Sequence, residues 1–315
     1  MKAIVNTGPN QLEWRELPRP EPGAGQVRIR TGACGICATD LEMIAGWPRT
    51  GFPAIPGHEW SGTVDAIGPG ADRSLVGRRC VAENVWSAGG EVGFEHPGGY
   101  AEYLLTEVKN VRVLPEGFLF AAAAMIEPLA VSVRGMNRLG RFEVDRPVLI
   151  FGDGPIGLVM AMLMSRAGAR DITLVGGREH RLKLAREFGA PNTINYHREA
   201  PTMKGISTVI EASGSAKAYV TIFKVIAPRA KILVLSDYGA ARADFPWNTI
   251  LHGELELIGS NASGGAWDEA VRLAVENKLP LDRLVSHRVP AAEFSRGMAI
   301  MKDREANAVK VVMEW

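Results

Sequence analysis

Along roughly the first 110 residues, apolar positions come in short bursts: AIV, QVRIR, SGTVDAIG, RRCVAEN and AEYLL. Turn residues separate them at intervals of about 8 to 12 positions, the spacing of short strands joined by tight connections. The bursts are rich in Val and Ile, which pack well on a pleated surface, so this stretch predicts a mostly antiparallel β region with no long helix. From Phe118 the pattern changes. An Ala-rich stretch through Arg138 reads as helical, after which VLIFG, DITLV, STVIEAS and KILVL alternate with helical segments. Strands alternating with helices at this spacing predict βαβ units and a parallel sheet, so the fold class is α/β. The last segment, AWDEAVRLAVEN, then RLVSHRVP and a terminal strand NAVKVVM, is mixed again and is expected to fold back onto the first region. No repeat or low-complexity linker marks a join, which places it within helical segments.

A length of 315 residues suits two domains or one large α/β domain. With 46% hydrophobic and 23% charged residues the chain is an ordinary globular one, which excludes disorder, collagen and coiled coil. The 36 basic and 35 acidic residues are interspersed, so a nucleic-acid partner is not expected. The apolar run Phe118 to Ile126 is about half of what a membrane-spanning helix needs, and no apolar stretch follows Lys2, so a soluble cytoplasmic protein is expected. Three cysteines, Cys34, Cys37 and Cys80, cannot all pair, and reduced thiols open to a metal are the expectation.

Val148 to Phe151 runs into Gly152, Asp153, Gly154, Pro155, Ile156 and Gly157, a GxGxxG between an apolar strand and an apolar helix. Glycines there let the chain turn tightly and bring backbone N–H groups to a pyrophosphate at the positive end of the helix. The order of strand, turn, helix and second strand favours dinucleotide binding over a turn needed only for helix packing. An NAD site carries an acidic residue at the end of the second strand for the adenine ribose. Here Gly176 and Gly177 stand in its place, with Arg178 and Arg181 following. Loss of a repelling carboxylate and gain of guanidinium groups predict a preference for NADP, unless the two arginines are only solvated helix charges.

Ligand chemistry concentrates in CGICATD (Cys34 to Asp40), PGHEW (Pro56 to Trp60) and EPLAV (Glu127 to Val131). Cys, His and Glu are zinc donors, and a catalytic site uses three with one position left open. Taken singly, each is more often a core cysteine, a hydrogen-bonded histidine or a solvated glutamate. Cys34 and Cys37 alone would also suit a redox pair or half a zinc knuckle.

The ordered set resembles the zinc-containing medium-chain alcohol and polyol dehydrogenases, a family that includes sorbitol and threonine dehydrogenases. The resemblance runs over essentially the whole chain, from MKAIV through CGICATD, PGHEWSGTVDAIG, GGYAEY, MIEPLAVSVRG, GDGPIG and VIEASG to AVKVVM. It implies a mostly β, GroES-like catalytic domain over 1–130 with 262–315, and a Rossmann dinucleotide-binding domain with a doubly wound parallel sheet over 131–261. It implies a catalytic zinc surrounded by Cys37, His58, Glu59 and Glu127, with either glutamate as the direct ligand, and leaves Cys34 as a packed residue. The family's second, structural zinc uses four cysteines, but only Cys80 lies between Glu59 and Gly98, so one zinc is expected and the structural lobe is missing.

Thr39 matches the family's proton-relaying hydroxyl, against the alternative of a threonine capping the next helix. Glu42 stands where several relatives relay through histidine. Trp47, Phe52 and His96 lie near the metal motifs and are candidate pocket residues, the pocket itself being expected between the catalytic region and the dinucleotide domain. The resemblance implies a secondary alcohol of polyol or sugar type as substrate and a homo-oligomer, dimer or tetramer, with ELELIGS (Glu254 to Ser260) as the pairing edge. The competing readings are a zinc-free NADPH-dependent quinone or enone reductase and a non-catalytic NADPH-binding protein.

Overall fold

The chain opens with a hairpin of β1 (Lys2–Gly8) and β2 (Gln11–Glu16). The long strand β3 (Gln26–Ile36) runs into helix α1 (Ala38–Ala45), and β4 (Trp60–Ile67), β5 (Arg79–Ala82), β6 (Tyr103–Glu107) and β7 (Val111–Val113) follow. The helical stretch expected from Phe118 to Arg138 is formed by two helices, α2 (Phe120–Ala124) and α3 (Ile126–Leu139). Pro128 accounts for the break: its ring would clash with the carbonyl four residues back in a continuous helix, whereas in a first turn it is tolerated.

Alternation then sets in as β8 (Val148–Phe151), α4 (Pro155–Arg166), β9 (Ile172–Gly176), α5 (Glu179–Glu187), β10 (Asn192–Asn195), β11 (Ile206–Glu211), α6 (Ala218–Val225), β12 (Ile226–Val234), α7 (Trp247–Gly253) and β13 (Glu256–Gly259). The chain closes with α8 (Trp267–Val275), β14 (Val285–Pro290), α9 (Phe294–Lys302) and β15 (Lys310–Glu314).

The computed structural model describes all 315 residues, which divide into two units, 1–127 with 267–315 and 128–266. In the first, a seven-stranded sheet has the order β14-β15-β3-β4-β5-β7, with β6 also on β3. All pairings are antiparallel except β14 with β15. β15 lies against β3, with Val311 opposite Ile36 and Met313 opposite Cys34, so the C-terminal segment does fold back onto the first region. This pairing sets Lys310 just past the end of β3, beside Cys37. The core around the sheet holds Ile4, Val27, Ile29, Trp60, Leu104 and Val311.

In the second unit the six strands are all parallel in the order β10-β9-β8-β11-β12-β13, the doubly wound Rossmann arrangement. β8 is buried along its whole length, as a central parallel strand covered on both faces must be. β13 forms one edge, its Leu257 exposed. No helix is long and apolar enough to cross a membrane.

Candidate active site

Cys37 joins β3 to α1 as an extended N-cap residue (φ −97°, ψ 158°). Three residues on, Asp40 turns back and its Oδ2 accepts the Cys37 backbone N–H at 2.8 Å, the reach of a capping-box side chain. Asp40 is fully buried, and its other partners come from distant segments. Its Oδ1 lies 3.1 Å from His58 Nδ1, and Tyr100 donates to Oδ2 at 3.2 Å. Because a carboxylate oxygen only accepts, the bond places a His58 proton on Nδ1 and leaves Nε2 as the nitrogen that could hold a metal. Burial favours a neutral His58 ring, but Asp40 and Cys37 beside it hold its pKa well above the usual range. Burial, with Asp40 adding to it, likewise pushes the Tyr100 hydroxyl well up, so it stays a donor.

The His58 backbone is pinned as well. Asn84 Nδ2 donates to its carbonyl at 2.8 Å, and Trp60 Nε1 holds Asn84 Oδ1 at 3.0 Å. Gly57 before it has φ +102°, and a Cβ there would lie 2.4 Å from the Tyr100 ring and 2.8 Å from Cys34 Sγ. Only glycine lets the PGHEW segment pass so close.

The donor atoms of Cys37, His58 and Glu59 lie within 4.8 Å of one another. Glu59 is held from the far end of the chain: Lys310 Nζ donates to its Oε1 at 2.6 Å, with both residues buried. Glu59 Oε2 is buried with no hydrogen-bond partner. An unpartnered buried carboxylate oxygen is costly in an apolar protein interior and suits a cation. A soft thiolate, an imidazole and a carboxylate within one ion's reach therefore fit zinc. Glu127, second residue of α3, falls outside this three-donor cluster. It is nonetheless an electrostatic neighbour: burial pushes its pKa up to about 7, with His58 pulling it down and Glu59 pushing it up.

Thr39 lies inside α1 rather than capping it, and its Oγ1 is 3.7 Å from Cys37 Sγ. Glu42, three residues further along the helix, is exposed. Of the loop aromatics, His96 stacks on Trp86 (4.5 Å between centroids) and its Nε2 meets the Gly89 carbonyl at 2.9 Å, so it is turned to its own loop. Phe52 is 39% exposed. The aromatic on the metal cluster is Phe94, 4.9 Å from the His58 ring, with Trp47 packed edge-on behind it at 6.4 Å. Arg49 covers the Phe94 ring at 4.3 Å. Its guanidinium is already taken, by Glu95 at 2.8 and 3.1 Å and by Glu91 at 3.0 Å.

In the second unit, Gly152 (φ +111°) begins the glycine turn, and a Cβ there would lie 2.4 Å from the Ala212 carbonyl oxygen. At Gly157 a Cβ would lie 1.9 Å from the Gly152 carbonyl oxygen. Gly154 is the N-cap of α4, Pro155 its first residue and Ile156 its second, with proline's fixed φ suited to that position. Arg178 is the N-cap of α5. Arg181 is not a solvated helix charge: its side chain is 12% exposed and lies 3.8 Å from Asp153. Gly176 and Gly177 are needed by what approaches them, the Asp153 carboxylate and the Tyr196 ring respectively.

Sequence reasoning assigned no role to Asp40, Tyr100, Phe94, Asp153 or Lys310. Two of these carried a readable signal. Asp40 stands at capping-box spacing from Cys37, and Lys310 is a lone charge inside an apolar strand, which burial obliges to find a partner.

Residues 23–116 match the alcohol dehydrogenase GroES-like domain family and residues 155–276 the zinc-binding dehydrogenase family. An L-threonine 3-dehydrogenase of Rhizobium etli is 31% identical over 349 aligned positions, covering 100% of this chain and 99% of the relative. A D-arabitol-phosphate dehydrogenase of Enterococcus avium is 27% identical, covering 100% and 97%. Among solved structures, galactitol-1-phosphate dehydrogenase from Escherichia coli superposes with a TM-score of 0.89 at 27% identity and full coverage of both chains. Two further structures of this fold, 23% and 24% identical, hold NADH and NADP.

Burial separates the three thiols. Cys80 is pushed up to about 12 and Cys34 well above its usual range, in both cases first by burial, whereas Cys37 is partly accessible. Since the thiolate is the reactive form, a thiol reagent near neutral pH is expected to modify one cysteine in native metal-free protein and all three after unfolding. Added zinc should slow the native reaction. Rapid labelling of Cys34 or Cys80 in the native state would contradict this arrangement.

Proposed function

The chain belongs to the zinc-containing medium-chain alcohol and polyol dehydrogenases, and on that footing we propose that it interconverts a neutral secondary alcohol of polyol type and its ketone, using NADP in preference to NAD, with one catalytic zinc per chain. The observation that carries the reading is the buried cluster of Cys37, His58 and Glu59 with its unpartnered carboxylate oxygen. These three side chains would hold the metal, with Glu127 as their buried neighbour. When bound, zinc supplies Lewis acidity toward an alcohol or carbonyl oxygen, and the nicotinamide supplies the hydride acceptor or donor.

The protein's own groups do the positioning. Asp40 orients the His58 ring and the Cys37 backbone together, and Lys310 holds one oxygen of Glu59 so that the other is left for the ion. Thr39, beside Cys37, takes the alcohol proton, and the exposed Glu42 passes it to water. Gly176 and Gly177 put no carboxylate at the end of β9, and Arg178 and Arg181 follow it, which supports NADP over NAD.

Arg49 lies over the Phe94 ring, which itself packs on His58. Relatives named for sugar-alcohol phosphates must accommodate an anion, but here the guanidinium behind Phe94 is neutralised by two glutamates. That supports an uncharged polyol over its phosphate. Self-association along β13 is supported by the exposed Leu257 there and the exposed Trp247 and Leu251 on α7. Three free thiols suit a reducing compartment such as the cytoplasm.

Steady-state assays with NADP are expected to show turnover on neutral secondary polyols and lower kcat/KM on their phosphates. Thr39→Val should lower kcat by about 100-fold or more, the scale of a lost proton-transfer group, with zinc content unchanged. Full activity in that variant would rule out the relay, and absence of turnover on any alcohol would overturn the reading. Leu257→Arg is expected to shift the sedimentation coefficient toward monomer; an unchanged oligomer would place the interface elsewhere.

A further inference from the structure

We propose that Asp153, inside the glycine turn between β8 and α4, sets the balance between NAD and NADP by holding a fixed carboxylate where an adenosine 2′-phosphate would otherwise bind. This rests on the reading of residues 128–266 as a dinucleotide site. The end of β9 carries no acidic side chain of its own, yet it does not lack a carboxylate. Asp153 Oδ2 accepts both the Gly177 and the Arg178 backbone N–H at 2.9 Å. Its Oδ1 lies 3.8 Å from Arg181 Nη1. A Cβ on Gly176 would sit 2.5 Å from the Asp153 Cβ and 2.7 Å from its carboxylate. An acidic side chain at position 176 and Asp153 in its present place are therefore mutually exclusive. In this chain the carboxylate at the end of β9 thus comes from the first turn and not from the second strand.

The consequence is electrostatic. Burial and Arg178 push the Arg181 pKa down to about 10, with Asp153 opposing them, so Arg181 is a cation that needs an anion beside it. Asp153 provides that anion and also occupies the two amides at the start of α5. A ribose with free hydroxyls can donate to the carboxylate. A 2′-phosphate must share Arg178, Arg181 and the amides with a like charge a few ångströms away, and like charges at that range repel strongly where solvent is partly excluded. Arg178 and Arg181 thus favour NADP while Asp153 keeps NAD competitive.

The test is titration of NADPH and NADH into wild type and Asp153→Asn, followed by nicotinamide fluorescence. The asparagine oxygen still accepts from Gly177 and Arg178, so the turn is retained, while the charge is gone. The ratio of Kd for NADH to Kd for NADPH is expected to rise about tenfold or more, the effect of removing one like charge at short range. If the asparagine variant does not fold, Asp153→Ser, which also accepts from the amides, carries the same comparison. An unchanged ratio in a folded variant overturns the proposal, whichever cofactor wild type prefers. Wild type binding NADH more tightly, with the ratio still shifting in the variant, would support the role of Asp153 while refuting the NADP preference. Binding of neither cofactor to wild type would overturn both.

Discussion

Asp40 is the residue that ties the candidate metal donors together. Its buried carboxylate receives a backbone N–H from Cys37, the Nδ1 proton of His58 and the hydroxyl of Tyr100. Those partners come from the end of β3, the segment before β4 and the segment before β6, so one side chain fixes the mutual placement of two candidate donors that local structure alone would leave independent. A buried charge stripped of a partner costs roughly 3–5 kcal/mol, so these bonds bear strongly on how the site is held. The helix α1 exists in the same bond: the residue that caps its first turn is also the residue that orients the histidine.

The third donor is governed by a second buried charge pair with a different logic. Lys310 and Glu59 are separated by 251 residues and meet because β15 pairs with β3. The pair satisfies one carboxylate oxygen and leaves the other buried without a hydrogen-bond partner, an arrangement that suits a cation. Burial pushes Lys310 toward the neutral amine, and Glu59 beside it more than reverses that, keeping the ammonium charged. Lys310, on the last strand, in this way holds one of the three candidate donors, and the segment 267–315 belongs to the first unit. The Rossmann unit repeats the theme on a smaller scale, with Asp153 reaching from one turn to organise the next.

The elements were legible in the sequence wherever periodicity was strong. The Val- and Ile-rich bursts became the strands of the antiparallel sheet, and the alternation after Val148 became the parallel one. The helical stretch after Phe118 was legible as such, and the break within it, ahead of Pro128, follows that residue's local rule. In the site, Cys37, His58 and Glu59 were legible because each sits in a compact motif whose residues are neighbours in the chain. What was not legible depends on long-range pairing. Lys310 acquires meaning only through the register of β15 on β3, and Tyr100 only through a contact to Asp40 across 60 residues. Loop aromatics carry no signal of direction, and so His96 was named as a candidate while Phe94, two residues away and packed on His58, was not. Asp153 was hidden for another reason: it occupies a free position of GxGxxG, where any residue is compatible with the turn.

The central claim is that Cys37, His58 and Glu59 are built to hold one metal ion. Elemental analysis of dialysed wild type and Cys37→Ser, both expressed with added zinc, tests it directly. The account predicts about one zinc per chain in wild type, as three protein donors with an open position require, and its loss in the variant. Wild type free of zinc, or a Cys37→Ser protein that keeps a full equivalent, would contradict it.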